Sequence, residues 1–379
     1  MTARPRLLHV VGTRPNFMKV APVIHALSAR GDCAQTLVHT GQHYDERLSA
    51  TFFDELDLPA PDHFLGVGSG THGEQTARVI LALEPILRAD PPDAVVVPGD
   101  VNSTMAAALT AVKVGIPVAH LESGLRSGDR QMPEEHNRIV TDHLADLLLT
   151  TSRDADDNLR GEGIPNQRIR FVGNTMIDSL RRYEQRARDL DLARSELGVE
   201  GHVLVTLHRP ALVDDSAALR AVMEVLEEVA TDRPVLFPLH PRTALMLESA
   251  GWHPRRVQIL EPQSYLRFLS LQATAAAVLT DSGGVQEETT VLGVPCFTLR
   301  ANTERPVTIT EGTNRLLGLG PAALVTFRAA LGELGPRPAA QTPEGWDGRA
   351  GERAAAALVG LASEGASAGV TAPSQVGAR

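Results

Sequence analysis

Along the chain, short apolar runs closed by Gly, Pro or Asp alternate with longer stretches whose apolar residues recur at helical spacing. Strands buried on both faces read as continuous apolar runs, and parallel neighbours must be joined by a crossover, usually a helix. The alternation therefore predicts βαβ units. In the first half the predicted strands are 7–11, 35–40, 94–97, 118–121, 147–150 and 169–171, with helices such as 21–29, 74–87, 103–114 and 136–145 between them. A charged helix over 178–197 follows. A second series then begins, with strands at 202–206, 235–239, 257–260, 276–280 and 295–299 and a helix at 217–230. The fold class expected is α/β, two doubly wound Rossmann-like domains facing a central cleft, divided as 1–172 and 173–350. The Ala/Gly/Ser-rich stretch 362–379 reads as a flexible tail.

Composition fits this picture. A chain of 379 residues exceeds one ordinary core, and 43% hydrophobic with 22% charged residues is globular. A net charge of −10 disfavours nucleic acid and anionic lipid as partners, so cations that matter must be clustered locally. Cys33 and Cys296 are the only cysteines, far apart and each in an apolar segment, which suggests neither a disulfide framework nor a metal knuckle. No stretch approaches about 18 uninterrupted apolar residues, and residues 1–6 lead straight into a strand. A cytoplasmic protein is expected.

In open parallel sheets ligands bind at the carboxyl ends of the strands. The first strand ends in Gly12-Thr13-Arg14-Pro15-Asn16-Phe17-Met18-Lys19, a glycine turn with two cations around a helix start, suited to phosphate or carboxylate and equally compatible with a solvated turn. Other strand ends carry Asp100, Glu122 with Arg126, and Thr151-Ser152. Carboxylates directly after buried strands are costly unless paired or functional. Glu134 and Glu135, following Pro133 at a helix start, would in isolation be simple compensation of the helix dipole, worth at most about 1 kcal/mol, but their company favours a role. In the second half, Leu207-His208-Arg209 and Leu239-His240-Pro241-Arg242 repeat a His followed by a cation at two strand ends, which points to an anion. No HExxH pairing accompanies them, so no metal is expected.

Asp281-Ser282-Gly283-Gly284-Val285-Gln286-Glu287-Glu288 is the most telling segment. Its Ser-Gly-Gly turn lets a helix N-terminus approach a diphosphate, while an acid one turn later can accept from ribose hydroxyls. Adjacent helical positions diverge by about 100°, so only one of Glu287 and Glu288 can face the ligand. Thr303-Glu304-Arg305-Pro306 and Gly312-Thr313-Asn314 read as a loop closing over it. Gly68-Ser69-Gly70-Thr71-His72-Gly73 matches GxGxxG by letter, but no strong strand leads into it and no acid follows at the expected distance, so it is not read as a nucleotide site.

Taken in order, Gly12-Thr13-Arg14-Pro15 with Lys19, Gly99-Asp100, His120-Leu121-Glu122-Ser123-Gly124-Leu125-Arg126, Pro133-Glu134-Glu135-His136-Asn137-Arg138, Gly173-Asn174-Thr175, His208-Arg209, the segment 281–288 and Thr303-Glu304-Arg305-Pro306 resemble the bacterial non-hydrolysing UDP-N-acetylglucosamine 2-epimerases, from about residue 6 to residue 361. The resemblance implies a GT-B-like architecture, a final helix near 351–361 packing back on the first domain, a homodimer, and no redox cofactor or metal. It implies interconversion of UDP-N-acetylglucosamine and UDP-N-acetylmannosamine by elimination of UDP to 2-acetamidoglucal and re-addition. Matching positions assign proton handling to Asp100, Glu122 and Glu134, and diphosphate contact or general acid work to His208. Arg14, Lys19, Ser282, Gly283, Gly284 and Glu288 would hold UDP, with Arg138, Arg209, His240 and Arg305 orienting acids or binding phosphate.

Two departures carry weight. Gln42-His43-Tyr44-Asp45 stands where many members have Gln-His-Arg-Glu, a segment linked to activation by a second UDP-N-acetylglucosamine, and Ser123 replaces the more usual Ala. The two His-containing strand ends are also similar to members that epimerise UDP-diacetamido-glucuronate. A GT-B glycosyltransferase would share the diphosphate site without needing carboxylates converging on one carbon. A hydrolysing epimerase would release free sugar, and a non-catalytic UDP-sugar sensor would have no reason to keep anions beside a diphosphate.

Overall fold

The computed structural model describes residues 4–42, 46–337 and 339–367. It contains two parallel sheets, each wound in both directions from its first strand. The first joins β1 (Arg6–Val11), β2 (Ala34–His39), β3 (His63–Phe64), β4 (Ala94–Pro98), β5 (Val118–Ser123), β6 (Leu147–Thr150) and β7 (Ile169–Phe171) in the order β3-β2-β1-β4-β5-β6-β7. The second joins β8 (Val203–Thr206), β9 (Val235–Pro238), β10 (Gln258–Leu260), β11 (Ala277–Thr280), β12 (Cys296–Thr298) and β13 (Asn314–Leu316) in the order β10-β9-β8-β11-β12-β13. The α/β doubly wound class expected from the apolar runs is the one observed. In both sheets the winding reverses between the first and fourth strands, β1/β4 and β8/β11, and crevices open there at the strands' carboxyl ends.

The predicted strands lie within a residue or two of those observed. The charged stretch over 178–197 is two helices rather than one: Thr175–Leu190 ends at Asp191, whose left-handed φ of 38° turns the chain into Leu192–Ser195. The break buries Leu192 and Ala193 against the second half, where the Leu192 amide donates to Ser270 Oγ at 3.1 Å. β3 and β13 are edge strands whose residues, His63-Phe64 and Asn314-Arg315-Leu316, form no apolar run that could mark them.

The last helix, Ala350–Ser367, places Ala354, Ala355, Leu358 and Ala362 in one apolar cluster with Leu7, Val23, Leu27 and Leu121 of the first sheet and its helix Arg14–Arg30. It runs on through residues expected to belong to the flexible tail, because Ala362 is buried and alanine and serine continue a helix without steric penalty. Residues 368–379 lie outside the described residues. Asp178 caps the helix start, accepting from the Ala350 amide at 3.1 Å and the Gly351 amide at 2.6 Å. Trp346 is buried beneath the same junction and donates Nε1–H to the Thr151 carbonyl at 2.9 Å. Among the described residues no helix is long and apolar enough to cross a membrane.

Trp346→Ala should therefore leave a large cavity and an unpaired carbonyl, lowering stability by about 3–5 kcal/mol. The urea midpoint of the first sheet's unfolding, followed by far-UV circular dichroism, is the measurement, and an unchanged midpoint would contradict this account of the junction.

Candidate active site

The carboxyl ends of β1, β4 and β5 face those of β8 and β11 across the cleft, and charged side chains from both halves meet there. Lys19 lies on the second turn of the helix Arg14–Arg30, buried, with its ammonium on Glu122 Oε2. Glu122 Oε1 accepts from Arg305 Nη2 of the second half at 3.0 Å. Glu122 sits at a register shift in β5 with φ of 70°, a strained left-handed conformation for a side-chain-bearing residue, and its carboxylate is 5% exposed as a whole residue. Arg305 continues to Glu287 Oε1 at 2.8 Å and Glu304 Oε2 at 3.4 Å.

A second chain of charges crosses beside the first. Asp100, just past β4, accepts from Arg138 Nη2 at 2.6 Å, and Arg138 also reaches Glu135 at 2.7 Å and Glu304 at 3.1 Å. Glu304, fully buried, accepts further from Arg300 at 2.7 Å and from Arg209 at 3.5 Å. Burial alone would raise these carboxyls. The surrounding arginines outweigh it, holding Asp100 at about 2 and Glu304 well below the usual carboxylate range. Burial wins at Glu287, which rises to about 7 against the pull of Arg305, and at Glu288, which rises to about 7 beside Tyr265 and a second carboxyl.

The Ser-Gly-Gly turn after β11 starts the helix Gly283–Leu292, and the Arg305 guanidinium lies against Gly283 where any Cβ would collide with it. A guanidinium and a helix N-terminus thus converge on one place, an arrangement that favours an anion. Glu287 and Glu288 part as helical spacing requires: Glu287 turns to Arg305 in the cleft, Glu288 to the Tyr265 side. His208 Nδ1 lies 3.0 Å from Asp281 Oδ1, and the His208 and Arg209 amides donate to Asp281 Oδ2 at 2.9 and 2.8 Å. The His208 and His240 rings are 5.7 Å apart at neighbouring strand ends. Arg14 lies with its guanidinium 5.6 Å from the Phe52 ring centre.

Other expectations need correction. Arg242 turns away to an exposed pair with Asp214, so the second His-cation repeat contributes its histidine and not its arginine. Gly312-Thr313-Asn314 does not close over the site. It leads into β13, where Asn314 is buried and bonded to Gln286 and Thr298, because the short edge strand satisfies its polar groups within the sheet. Glu134 is half-buried and forms no ion pair among the described residues, whereas its neighbour Glu135 takes the Ser127 and Gly128 amides at 3.1 and 2.9 Å as well as Arg138. His43, Tyr44 and Asp45 lie outside the described residues, while Gln42 is buried and accepts from Ser103 Oγ at 2.7 Å. Glu304 and Arg300 were not singled out in sequence. Their signal was present only in Glu304's place beside Arg305.

Residues 25–359 match the family model described as UDP-N-acetylglucosamine 2-epimerase. The UDP-N-acetylglucosamine 2-epimerase of Methanocaldococcus jannaschii is 42% identical over 324 residues, 83% of this chain and 88% of that protein. The UDP-2,3-diacetamido-2,3-dideoxy-D-glucuronate 2-epimerase of Pseudomonas aeruginosa is 40% identical over 333 residues, 86% and 93% of the two chains. A crystal structure of the M. jannaschii UDP-GlcNAc 2-epimerase in complex with UDP-GlcNAc and UDP superposes with a TM-score of 0.86 at 39% identity, covering 93% of this chain and 99% of that one. The chain belongs to the UDP-N-acetylglucosamine 2-epimerase family and has its GT-B-like fold.

Glu288 has a usual carboxyl value of 4.5 and a folded value near 7. Below pH 4.5 it is protonated folded or unfolded. As pH rises toward 7 only the unfolded chain releases the proton, so the folded state loses up to about 3 kcal/mol. Glu288→Gln, which keeps shape without the charge, should melt higher than the wild-type protein above about pH 7, with the gap shrinking toward pH 4.5. Calorimetry across that range checks it, and a constant gap would assign the effect to something other than ionisation.

Proposed function

We propose that this UDP-N-acetylglucosamine 2-epimerase family member interconverts UDP-N-acetylglucosamine and UDP-N-acetylmannosamine by eliminating UDP across C1 and C2 and adding it back. The observation that carries the reading is the position of Glu122, a carboxylate held between Lys19 of one half and Arg305 of the other. That arrangement supports the reading, because elimination needs a base for the C2 proton beside cations that receive the departing diphosphate. A pure binding site for an anion gains nothing from that carboxylate.

In this reading Ser282, Gly283 and Gly284 cradle the diphosphate at the helix N-terminus, with Arg14, Lys19 and Arg305 adding charge and His240 contacting phosphate, and Glu288 accepts from the ribose. An arriving diphosphate competes with Glu122 and Glu287 for Lys19 and Arg305, which loosens carboxylates that those cations now neutralise. One carboxylate then takes the C2 proton, the C2–H electrons form the C1=C2 bond, and the C1–O pair leaves with UDP, giving 2-acetamidoglucal. In the reverse sense a UDP oxygen bonds to C1 while an acid delivers a proton to the opposite face of C2. Asp100, Glu122 and Glu134 form the proton-handling set, and His208, oriented by Asp281, contacts the diphosphate or acts as a general acid. Arg138 and Arg209 hold the acids in place. Carbon gains and loses one proton with no net oxidation, so the route requires no hydride acceptor.

The 40% identity to the P. aeruginosa enzyme supports a second reading, epimerisation of a UDP-2,3-diacetamido-glucuronate. Proton NMR in D2O separates the two. UDP-N-acetylglucosamine should yield UDP-N-acetylmannosamine with deuterium at C2 of both sugars, and Asp100→Asn or Glu122→Gln should lower kcat by about 10²–10⁴-fold. Turnover of the diacetamido substrate alone would select the second reading, free N-acetylmannosamine would mark a hydrolysing enzyme, and no turnover of either would reject both.

The proposal extends to a cytoplasmic homodimer. Leu81, Val112 and Val140 are exposed on three helices, His72–Ala89, Asn102–Lys113 and Pro133–Leu144, that pack side by side on the first sheet. A second copy covering this face would remove them from water. Sedimentation velocity should show a dimer that Leu81→Glu splits into monomers, and a monomeric wild-type protein would refute it.

A further inference from the structure

The turns that follow β1, β4 and β5 are stitched together by buried polar side chains, and one of these, an imidazole, has an oxygen within hydrogen-bond distance of each ring nitrogen. Asn16 binds the first turn through the Gly12 and Thr13 amides, at 3.0 and 3.1 Å, and the second through the Pro98 carbonyl at 3.0 Å. His120, wholly buried in β5, joins the second turn to the third. Its Nε2 lies 2.7 Å from the Gly99 carbonyl oxygen and its Nδ1 2.6 Å from Asp142 Oδ1. A carbonyl oxygen can only accept, so Nε2 carries a hydrogen. Asp142, also wholly buried, accepts at Oδ2 from the Gly124 amide at 3.1 Å and from Arg126 Nη1 at 2.7 Å. An acid facing an amide donor and a guanidinium is ionised, and its other oxygen therefore accepts as well, which places a second hydrogen on Nδ1.

The consequence reaches the candidate carboxylates directly. Gly99 immediately precedes Asp100, has φ of 68°, and its amide donates to the Leu121 carbonyl at 2.9 Å. With its own carbonyl on His120, the Gly99 peptide is held at both ends by β5, the strand that carries Glu122. Asp142 at the same time fixes Gly124 and Arg126, just beyond Glu122. We propose that His120 is an imidazolium that serves as a positioning residue, its two N–H donors locking the Gly99–Asp100 turn to Asp142 and thereby setting Asp100 against Glu122. A neutral imidazole could hold one of the two partners and would leave the other acceptor unpaired in a dry interior. The functional part of this inference rests on the epimerase reading above; the protonation state does not.

The test uses the full-length protein with ¹⁵N-labelled histidine. Both His120 ring nitrogens should show the shifts and attached protons of an imidazolium at neutral pH, and a bare ring nitrogen at that residue would overturn the proposal. His120→Gln keeps a donor for Gly99 but turns an oxygen or a second amide hydrogen, not a ring cation, toward Asp142. It should lower kcat and C2 deuterium exchange together by about 10²-fold while KM for UDP-N-acetylglucosamine and calorimetric UDP affinity stay within about threefold. Unchanged kcat in a folded variant would refute positioning, as would an equal loss of UDP affinity. Should His120→Gln fail to fold, Asp142→Asn leaves the ring in place and is expected to strip one ring proton and depress kcat to a similar extent; full activity with the imidazolium lost would refute the role. A wild-type protein inactive on UDP-sugars would reject the epimerase reading, and the ¹⁵N spectrum would still decide the imidazolium.

Discussion

Charge buried between the two halves constrains everything else in this molecule. An ion taken out of water without a counter-ion loses several kcal/mol of solvation, so each charged group at the cleft recruits the next. Lys19 takes Glu122, Glu122 takes Arg305, Arg305 takes Glu287 and Glu304, and Glu304 reaches through Arg138 to Asp100. Two of these links, Glu122–Arg305 and Glu304–Arg138, cross from one half to the other, so the network also fixes how the halves face each other. Removing one member strands its neighbours and would destabilise by about 3–5 kcal/mol, whereas an exposed pair such as Arg242–Asp214 contributes at most about 1 kcal/mol. The same network makes the site responsive, because a competing anion can exchange for a carboxylate at Lys19 or Arg305 without leaving a cation bare.

Backbone geometry puts those charges where they meet. Strands of a parallel sheet end on one edge, and there the chain must turn sharply into a helix, which favours residues that tolerate left-handed φ. Gly99 does so with φ of 68°, where a Cβ would come within 2.7 Å of the Lys19 ammonium. Glu122 adopts φ of 70° with a side chain, a strain of order 1–3 kcal/mol, sustained by ion pairs on both oxygens and by the bonds that His120 and Asp142 make on either side. Strain of this kind persists only where the surroundings over-determine it, and here the surroundings are polar and buried, with a charged partner on each carboxylate oxygen.

Away from the cleft, the halves are joined by contacts of a different character. Glu55 of the first half caps the helix Tyr265–Thr274 of the second, accepting from Ser264 Oγ at 2.5 Å and the Leu266 amide at 3.1 Å, and Ser179 Oγ donates to the Met18 carbonyl at 2.6 Å. The helix Ala350–Ser367 returns the chain to the first sheet through an apolar face and the Asp178 cap. Tyr265, at the start of the helix that Glu55 caps, sits beside Glu288, so one capping interaction links first-half structure to the carboxyl proposed to meet the ribose.

The sequence by itself determined the α/β class, the two series of βαβ units and the residues that end their strands, because period, run length and glycine turns are local properties. It also marked Asp100, Glu122, His208 and the Ser-Gly-Gly turn as candidates, since polar residues directly after buried strands are conspicuous. Only the tertiary structure decided the pairings. That Glu287 and not Glu288 turns to Arg305, that Glu304 gathers arginines from both halves, and that Arg242 leaves the site for Asp214 depend on which strands lie adjacent across a cleft. His120 and Asp142 read as ordinary positions within a strand and a helix. Their meaning arose when 22 residues of separation closed to a hydrogen bond, an event set by sheet order rather than by any local pattern.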